Sequence, residues 1–504
     1  MDNKPSISRK TRFLLLFLLL QTALFAQTFP RFEPDPKALK FHSLGGRDNS
    51  YSWAELAEIS LWASGDSGAS NLEKIRAAAE TLKKSAELPV SDREKAEYIL
   101  GFMHKNFLKS YSLTQTRVDT IFSNGRFNCV SSAVLYMILC TSAGIYTSGV
   151  ITKEHAFITV HIGELDVDVE TTNPYGFDPG SRKDYNDRFG RVTGFAYVPA
   201  RNYRDRQTIN QIELISVIMN NRIGELEKSN KFAESVPIAA DRAALLTGNS
   251  LSARTSANSP GAIFTDPQKD LLDRLLNFGS ALLRAGKEDD CLRWAETAFP
   301  LYPDDERWQE IILAAANNRL MKYTKAGKLE DARVFLAGKK TLLSQANYAA
   351  LDSTLSDIEL AQIDKELAQK INSIKTAAEG EAVINAINQA RSNSKVSEKR
   401  VGEMLTAAIQ KTAEALSAAP ARDWRTAAKY METAIASFGT NREFEKALQI
   451  YRSNIAADYH NRFVKAWNSK NIDEAEGILK DGLLEFPDDR QLLADMEMVN
   501  KSRQ

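Results

Sequence analysis

The sequence predicts an α+β protein: a mixed domain built on one apolar helix and a β-hairpin, with a long all-helical region behind it. Three observations carry the prediction. After Asn128-Cys129 the chain reads VSSAVLYMILCTSAG, small residues and then an apolar run closed by Gly144, which is the pattern of a buried helix. Two strand signals follow, AFITVHI from Ala156 and the strictly alternating LDVDVET from Leu165, joined by Gly163-Glu164 as a two-residue hairpin link. From Leu271 onward nearly every segment carries helical periodicity.

The rest of the chain fits around this frame. Its 504 residues imply about two to four domains, with 43% hydrophobic and 26% charged residues as in globular proteins. Lys+Arg and Asp+Glu are equal at 65 each, so no net charge draws the chain to nucleic acid or to an anionic membrane. Three cysteines, Cys129, Cys140 and Cys291, are too few and odd in number for a disulfide framework. Lys4, Arg9, Lys10 and Arg12 precede the apolar run Phe13 to Phe25, and Ala26 offers a small residue at a cleavage edge. Residues 1–26 therefore read as a secretory signal peptide, with an uncleaved anchor as the alternative. They place the mature protein in the periplasm or outside the cell. No other stretch is apolar for long enough to span a bilayer.

Residues 27–90 read as a helical lead-in. Its Pro-rich start through His42 reads as extended; helices begin at Ser52 and Asn71. A Ser91 to Glu94 capping box opens the helix KAEYILGFMHKNFL, and residues 91–200 form the α+β domain. Residues 201–247 read as a helical hairpin, 248–268 as a Ser/Thr/Ala/Gly/Pro-rich linker, and 269–504 as the helical region. Weak internal repetition marks that region. Asn318-Arg319 running to Asp331-Ala332 aligns without a gap on Asn461-Arg462 running to Glu474-Ala475. Helix pairs joined by short polar turns resemble degenerate tetratricopeptide repeats. These stack because none can bury its apolar stripe alone. They serve either as a face for a protein partner or as a scaffold for the α+β domain.

The chemistry concentrates between Phe122 and Gly180. Cys129 follows a Gly-containing turn and heads an apolar helix, where the helix N-terminus favours a thiolate. His155 starts the next strand and can act as base to a thiol and then as acid to a leaving amine. His161 lies on the same strand face and is the competing base. Folding about Gly163-Glu164 pairs 162 with 165 and hence 157 with 170, bringing Glu170 beside His155 as the acid that fixes its tautomer. Asp168 shares that face and is the alternate. The Cys129 backbone N–H, with the Asn124 or Asn128 side chain as a weaker second, is the candidate oxyanion donor.

These residues resemble the transglutaminase-like cysteine-enzyme superfamily over roughly Glu94 to Gly180. The likeness lies in a lead-in helix, Gly125 to Cys129, an apolar helix ending at Gly144, His155-Ala156-Phe157, and Val169-Glu170-Thr171. It implies a papain-like fold in which the Cys helix packs on an antiparallel sheet. It implies Cys129 as nucleophile, His155 as base and Glu170 as orienter, with Asp more usual in the third place and Trp frequent where Phe157 stands. The implied activity is attack on an amide of a protein or peptide, through a thioester, as protease, amidase or acyltransferase. A non-catalytic envelope scaffold that binds through its helical repeats is the alternative. No paired Cys or His spacing of a metal site and no phosphate loop occurs in the sequence, and the chemistry requires no cofactor.

Overall fold

The computed structural model describes residues 29–45, 50–85, 87–153, 155–179, 206–248, 266–393, 396–418, 422–439 and 441–503. The signal-peptide reading, residue 180 with the end of the α+β domain, and nearly all of the predicted linker lie outside those residues. The described chain is mostly helical with one small antiparallel sheet. It divides into two compact units, the first through Met321 plus Lys339–Ser344 and the second covering Lys322–Gly338 and Gln345 onward.

In the first unit, Pro36–Leu44 (α1) is helical where the Pro-rich sequence reads as extended. Asp35 caps it and Pro36 sits at its first position, where the missing N–H costs nothing. Trp53–Ser64 (α2) starts on a capping box between Ser52 and Glu55. Ala69–Lys84 (α3) and Asp92–Asn106 (α4) follow. Two short strands, Ser110–Tyr111 (β1) and Arg126–Phe127 (β2), pair in parallel around the one-turn helix Asp119–Asn124 (α5).

Cys129–Ser142 (α6) is the central element. Every residue in it except Thr141 is buried, and it packs against α2, α3, α4 and the sheet. Its even apolarity is the reason: a helix hydrophobic all round has no solvent face to offer. The sheet runs in the order β5-β4-β3-β6, with Thr147–Ile151 (β3), Ala156–Ile162 (β4), Leu165–Val169 (β5) and Gln207–Ile209 (β6) all antiparallel to their neighbours. Ile162 pairs with Leu165 and Ile158 with Val169, the register expected from the hairpin link. Gly163 supplies the positive φ, 57°, that such a turn needs. Ile158, Val160, Val167 and Val169 join the core with α6, so Phe157, Thr159 and His161 fall on the opposite face by the two-residue period.

Gln211–Lys228 (α7) packs on α2, α6 and β3, so it belongs to the core of the α+β unit. Phe232–Thr247 (α8), Pro267–Arg284 (α9) and Glu288–Ala298 (α10) continue the unit. The chain ahead of α1 is fastened to these later helices. Arg31 holds Asp241 with two hydrogen bonds, of 2.9 and 2.8 Å, and Phe29 and Phe32 lie edge-on to the buried Trp294.

Glu306–Lys325 (α11) runs across the division between the units. In the second unit, Leu329–Gly338 (α12), Gln345–Asn372 (α13), Ala377–Asn393 (α14), Glu398–Ser417 (α15), Trp424–Phe438 (α16), Arg442–Asn468 (α17), Ile472–Glu485 (α18) and Arg490–Ser502 (α19) pack chiefly on their sequence neighbours. That is the contact pattern of stacked helical hairpins. The two aligned segments of the sequence fall at equivalent turns, one between α11 and α12 and the other between α17 and α18.

Candidate active site

Cys129 is the first residue of α6. Asn128 is its N-cap: the side-chain oxygen accepts from the amides of Val130 and Ser131, both at 3.0 Å, and Ser131 Oγ accepts from the Asn128 amide. The side-chain Nδ2 of Asn128 also donates to Leu113 O at 3.1 Å. Asn128 is thus fully used in holding the helix start and the preceding loop. Asn124 accepts from the Arg126 amide. The Asn128 side chain, one of the two asparagine oxyanion candidates, is therefore structural.

His155 lies one residue before β4 and is 8% exposed. Its Nε2 meets Glu170 Oε2 at 2.5 Å, and the Cys129 thiol lies within electrostatic range of the same ring. With Nε2 engaged by the carboxylate, Nδ1 is the nitrogen that can serve the sulfur. Burial pulls the imidazole pKa down. The Glu170 charge and hydrogen bond, together with the nearby Cys129 thiol, outweigh it, so the net displacement is well upward. A protonated ring between a thiol and a carboxylate is the state that an ion-pair mechanism uses.

Glu170 has no exposed surface. Its second oxygen, Oε1, accepts from the Thr172 amide at 3.1 Å and from Thr172 Oγ1 at 2.6 Å. The loop that carries it closes tightly: the Glu170 amide donates to Gly176 O, and a Cβ at Gly176 would lie 1.9 Å from Glu170 O. Next to it, Thr171 shares a 2.8 Å hydroxyl hydrogen bond with Ser132 of α6, and its carbonyl meets His104 Nε2 at 3.0 Å. Burial lowers the His104 pKa to about 4, so a neutral ring donates to that carbonyl. Ser132 and His104 therefore tie the acid-bearing loop to the cysteine-bearing helix.

The alternates are occupied elsewhere. Asp168 takes two hydrogen bonds from Arg206, of 2.6 and 2.7 Å, and one from Thr159 Oγ1. Arg206 in turn stacks over the Phe157 ring at 5.0 Å. His161 pairs with Asp166 at 2.7 Å and with Ser148 Oγ at 2.9 Å. Of the two acids, it is Glu170 that lies against His155.

No known family's sequence model matches the chain, and no curated protein matches it either.

Several residues of the site carry no mark in the sequence. Tyr111 is one: β1 is two residues long, too short for any period to show. Its ring sits edge-on to Phe127 at 5.9 Å, and its hydroxyl is within electrostatic range of both the Cys129 thiol and the Glu170 carboxylate. Thr172 had a signal, a hydroxyl two residues from an acid, that side-chain-to-backbone turn chemistry explains. Among the described residues, no three of His, Cys, Asp and Glu come together as a metal site would need.

Proposed function

We propose that the protein is a secreted, transglutaminase-like cysteine enzyme that attacks amide bonds of a protein or peptide through a thioester. The observation that carries this reading is the buried His155–Glu170 contact at 2.5 Å, with the thiol of a helix N-terminus in electrostatic range of the same ring. A packed structural cysteine has no need of a charged imidazole and a fully buried carboxylate behind it. Burying that ionic pair costs several kcal/mol unless further hydrogen bonds satisfy it, and Thr172 supplies two of them.

In this mechanism Cys129 Sγ, ionised against the His155 imidazolium, adds to the amide carbonyl. His155 passes its proton to the leaving amine as the tetrahedral adduct collapses to the thioester. Water or a second amine then resolves the thioester, with His155 as base. Glu170 keeps the ring oriented throughout and stabilises it in the steps where it is charged. The papain-like arrangement belongs to the same proposal, supported by an apolar helix with the cysteine at its head packed on an antiparallel sheet. Export is supported by the basic and apolar character of residues 1–26.

The test is trapping. Protein incubated with a reactive acyl donor and quenched in acid should carry one acyl group on Cys129 by mass spectrometry, and Cys129→Ala should carry none. Equal acylation of the two proteins would end the proposal.

A further inference from the structure

We propose that Tyr111 is a catalytic residue, its hydroxyl donating to the carbonyl oxygen of the acyl substrate as that oxygen gains charge. The inference rests on Cys129 being the nucleophile.

The hydroxyl is fully shielded from solvent and has no hydrogen-bond partner. Leaving such a group unpaired is unfavourable where it stands. Many of the buried polar atoms nearby are satisfied: both Glu170 oxygens, the Asn128 side chain, and the hydroxyls of Ser131, Ser132 and Thr171. The Tyr111 hydroxyl stands apart from these neighbours.

Its placement is fixed by backbone. Tyr111 pairs in parallel with Phe127, two residues ahead of Cys129, and the Ser112 amide donates to Phe127 O at 2.8 Å. The ring is braced edge-on by Phe127. The same loop is pinned to the head of α6 at Leu113 and Gln115, through Asn128 and Ser131. An unsatisfied donor anchored by backbone pairing thus stands within electrostatic range of the nucleophile. The Cys129 amide, first N–H of α6 and ahead of the capped pair, is the second donor. Burial raises the phenol pKa, and the charges of Cys129 and Glu170 raise it further, so the group remains a donor at any working pH.

The step balances on these groups. The Sγ–C bond forms, and the carbonyl π pair moves onto oxygen, which accepts from Tyr111 O–H and Cys129 N–H. The tyrosine keeps its proton. Collapse restores C=O and breaks the bond to the leaving group, which departs with the bonding pair and, if an amine, with the proton from His155.

Tyr111→Phe in the full chain removes one oxygen and leaves the ring packing. Two reactions separate the roles. Acylation by p-nitrophenyl acetate passes through an oxyanion; alkylation by iodoacetamide, a displacement at saturated carbon, does not. Y111F is expected to slow the p-nitrophenolate burst by about 100-fold. Its alkylation rate and the pH midpoint of alkylation should match wild type, and its thermal midpoint should be unchanged or higher, since an unsatisfied buried group is gone. Acylation within about threefold of wild type overturns the proposal. So does a parallel fall of both rates, which would mean that Tyr111 acts on the thiol. As a folding-neutral check, 3-fluorotyrosine at position 111, a stronger donor of nearly the same shape, should acylate at the wild-type rate or faster; a rate as low as that of Y111F overturns the proposal. Cys129→Ala guards the premise. If that variant keeps the burst, the nucleophile assignment fails, whatever Y111F does.

Discussion

At the scale of single residues, the three thiols sort by environment. Cys140 and Cys291 have no exposed surface, and burial pushes both up to about 12. Cys129 is 8% exposed at a helix head beside an imidazole. Iodoacetamide at pH 7 should therefore modify Cys129 well ahead of the other two; peptide mapping that finds equal labelling would contradict the arrangement. His155 gives a second readout. Its folded pKa lies above the unfolded 6.5, so its contribution to stability is fully present below about pH 6.5 and fades as pH rises through the folded value. By NMR its ring should remain protonated above pH 7, and Glu170→Gln should return it toward or below its ordinary value. A wild-type ring titrating near 6.5 would show that the carboxylate does not charge it.

At the scale of elements, two devices keep the site in register. The Asn128 cap fixes the head of α6, and Asn128→Ala should cost about 1 kcal/mol in urea denaturation while slowing Cys129 alkylation. The loop behind Glu170 leaves no room for a side chain at Gly176. Gly176→Ala should displace Glu170 and lower the His155 pKa, whereas the same change at solvent-facing Gly101 should do neither. His104 works in the opposite sense to His155. Its folded pKa of about 4 lies below the unfolded value, so its contribution is present above about pH 6.5 and is lost as pH falls toward 4. The loss is on the order of 3 kcal/mol, and His104→Gln should flatten that part of the stability–pH curve.

These elements also separate what the sequence discloses from what it hides. Period and punctuation are enough for α6, for the β4–β5 register, and for Glu170 lying beside His155, because a two-residue link leaves one way to fold the hairpin. The Thr147–Ile151 strand escapes notice because TSGVI neither alternates nor runs apolar throughout. The three-residue strand β6 is too short to signal itself. Pro36 reads as a breaker although it starts a helix, since proline's meaning depends on whether it falls at the first turn. His104 and Tyr111 reach the site only through tertiary packing, which spacing along the chain does not encode.

At the scale of the whole molecule, the site residues all lie in the first compact unit. The second unit has its own apolar clusters, centred on residues such as Leu479, Phe463 and Ile387, each at most 1% exposed. Calorimetry should accordingly resolve two transitions. Leu479→Ala should lower one of them by the 2–5 kcal/mol of a core truncation and leave Cys129 alkylation unchanged. One transition moving as a whole would show the units to be a single cooperative block.

The anchoring of Arg31 to Asp241 has a consequence for biogenesis. The partners are 210 positions apart, and the aromatic seat for Phe29 and Phe32 at Trp294 is farther still. A ribosome or export channel releasing this chain from its amino end presents the stitch long before it presents the cloth. The first unit can be sealed only after Trp294 emerges, so the nascent cysteine and its helix wait, partly assembled, while the chain from Cys129 to Trp294 is made.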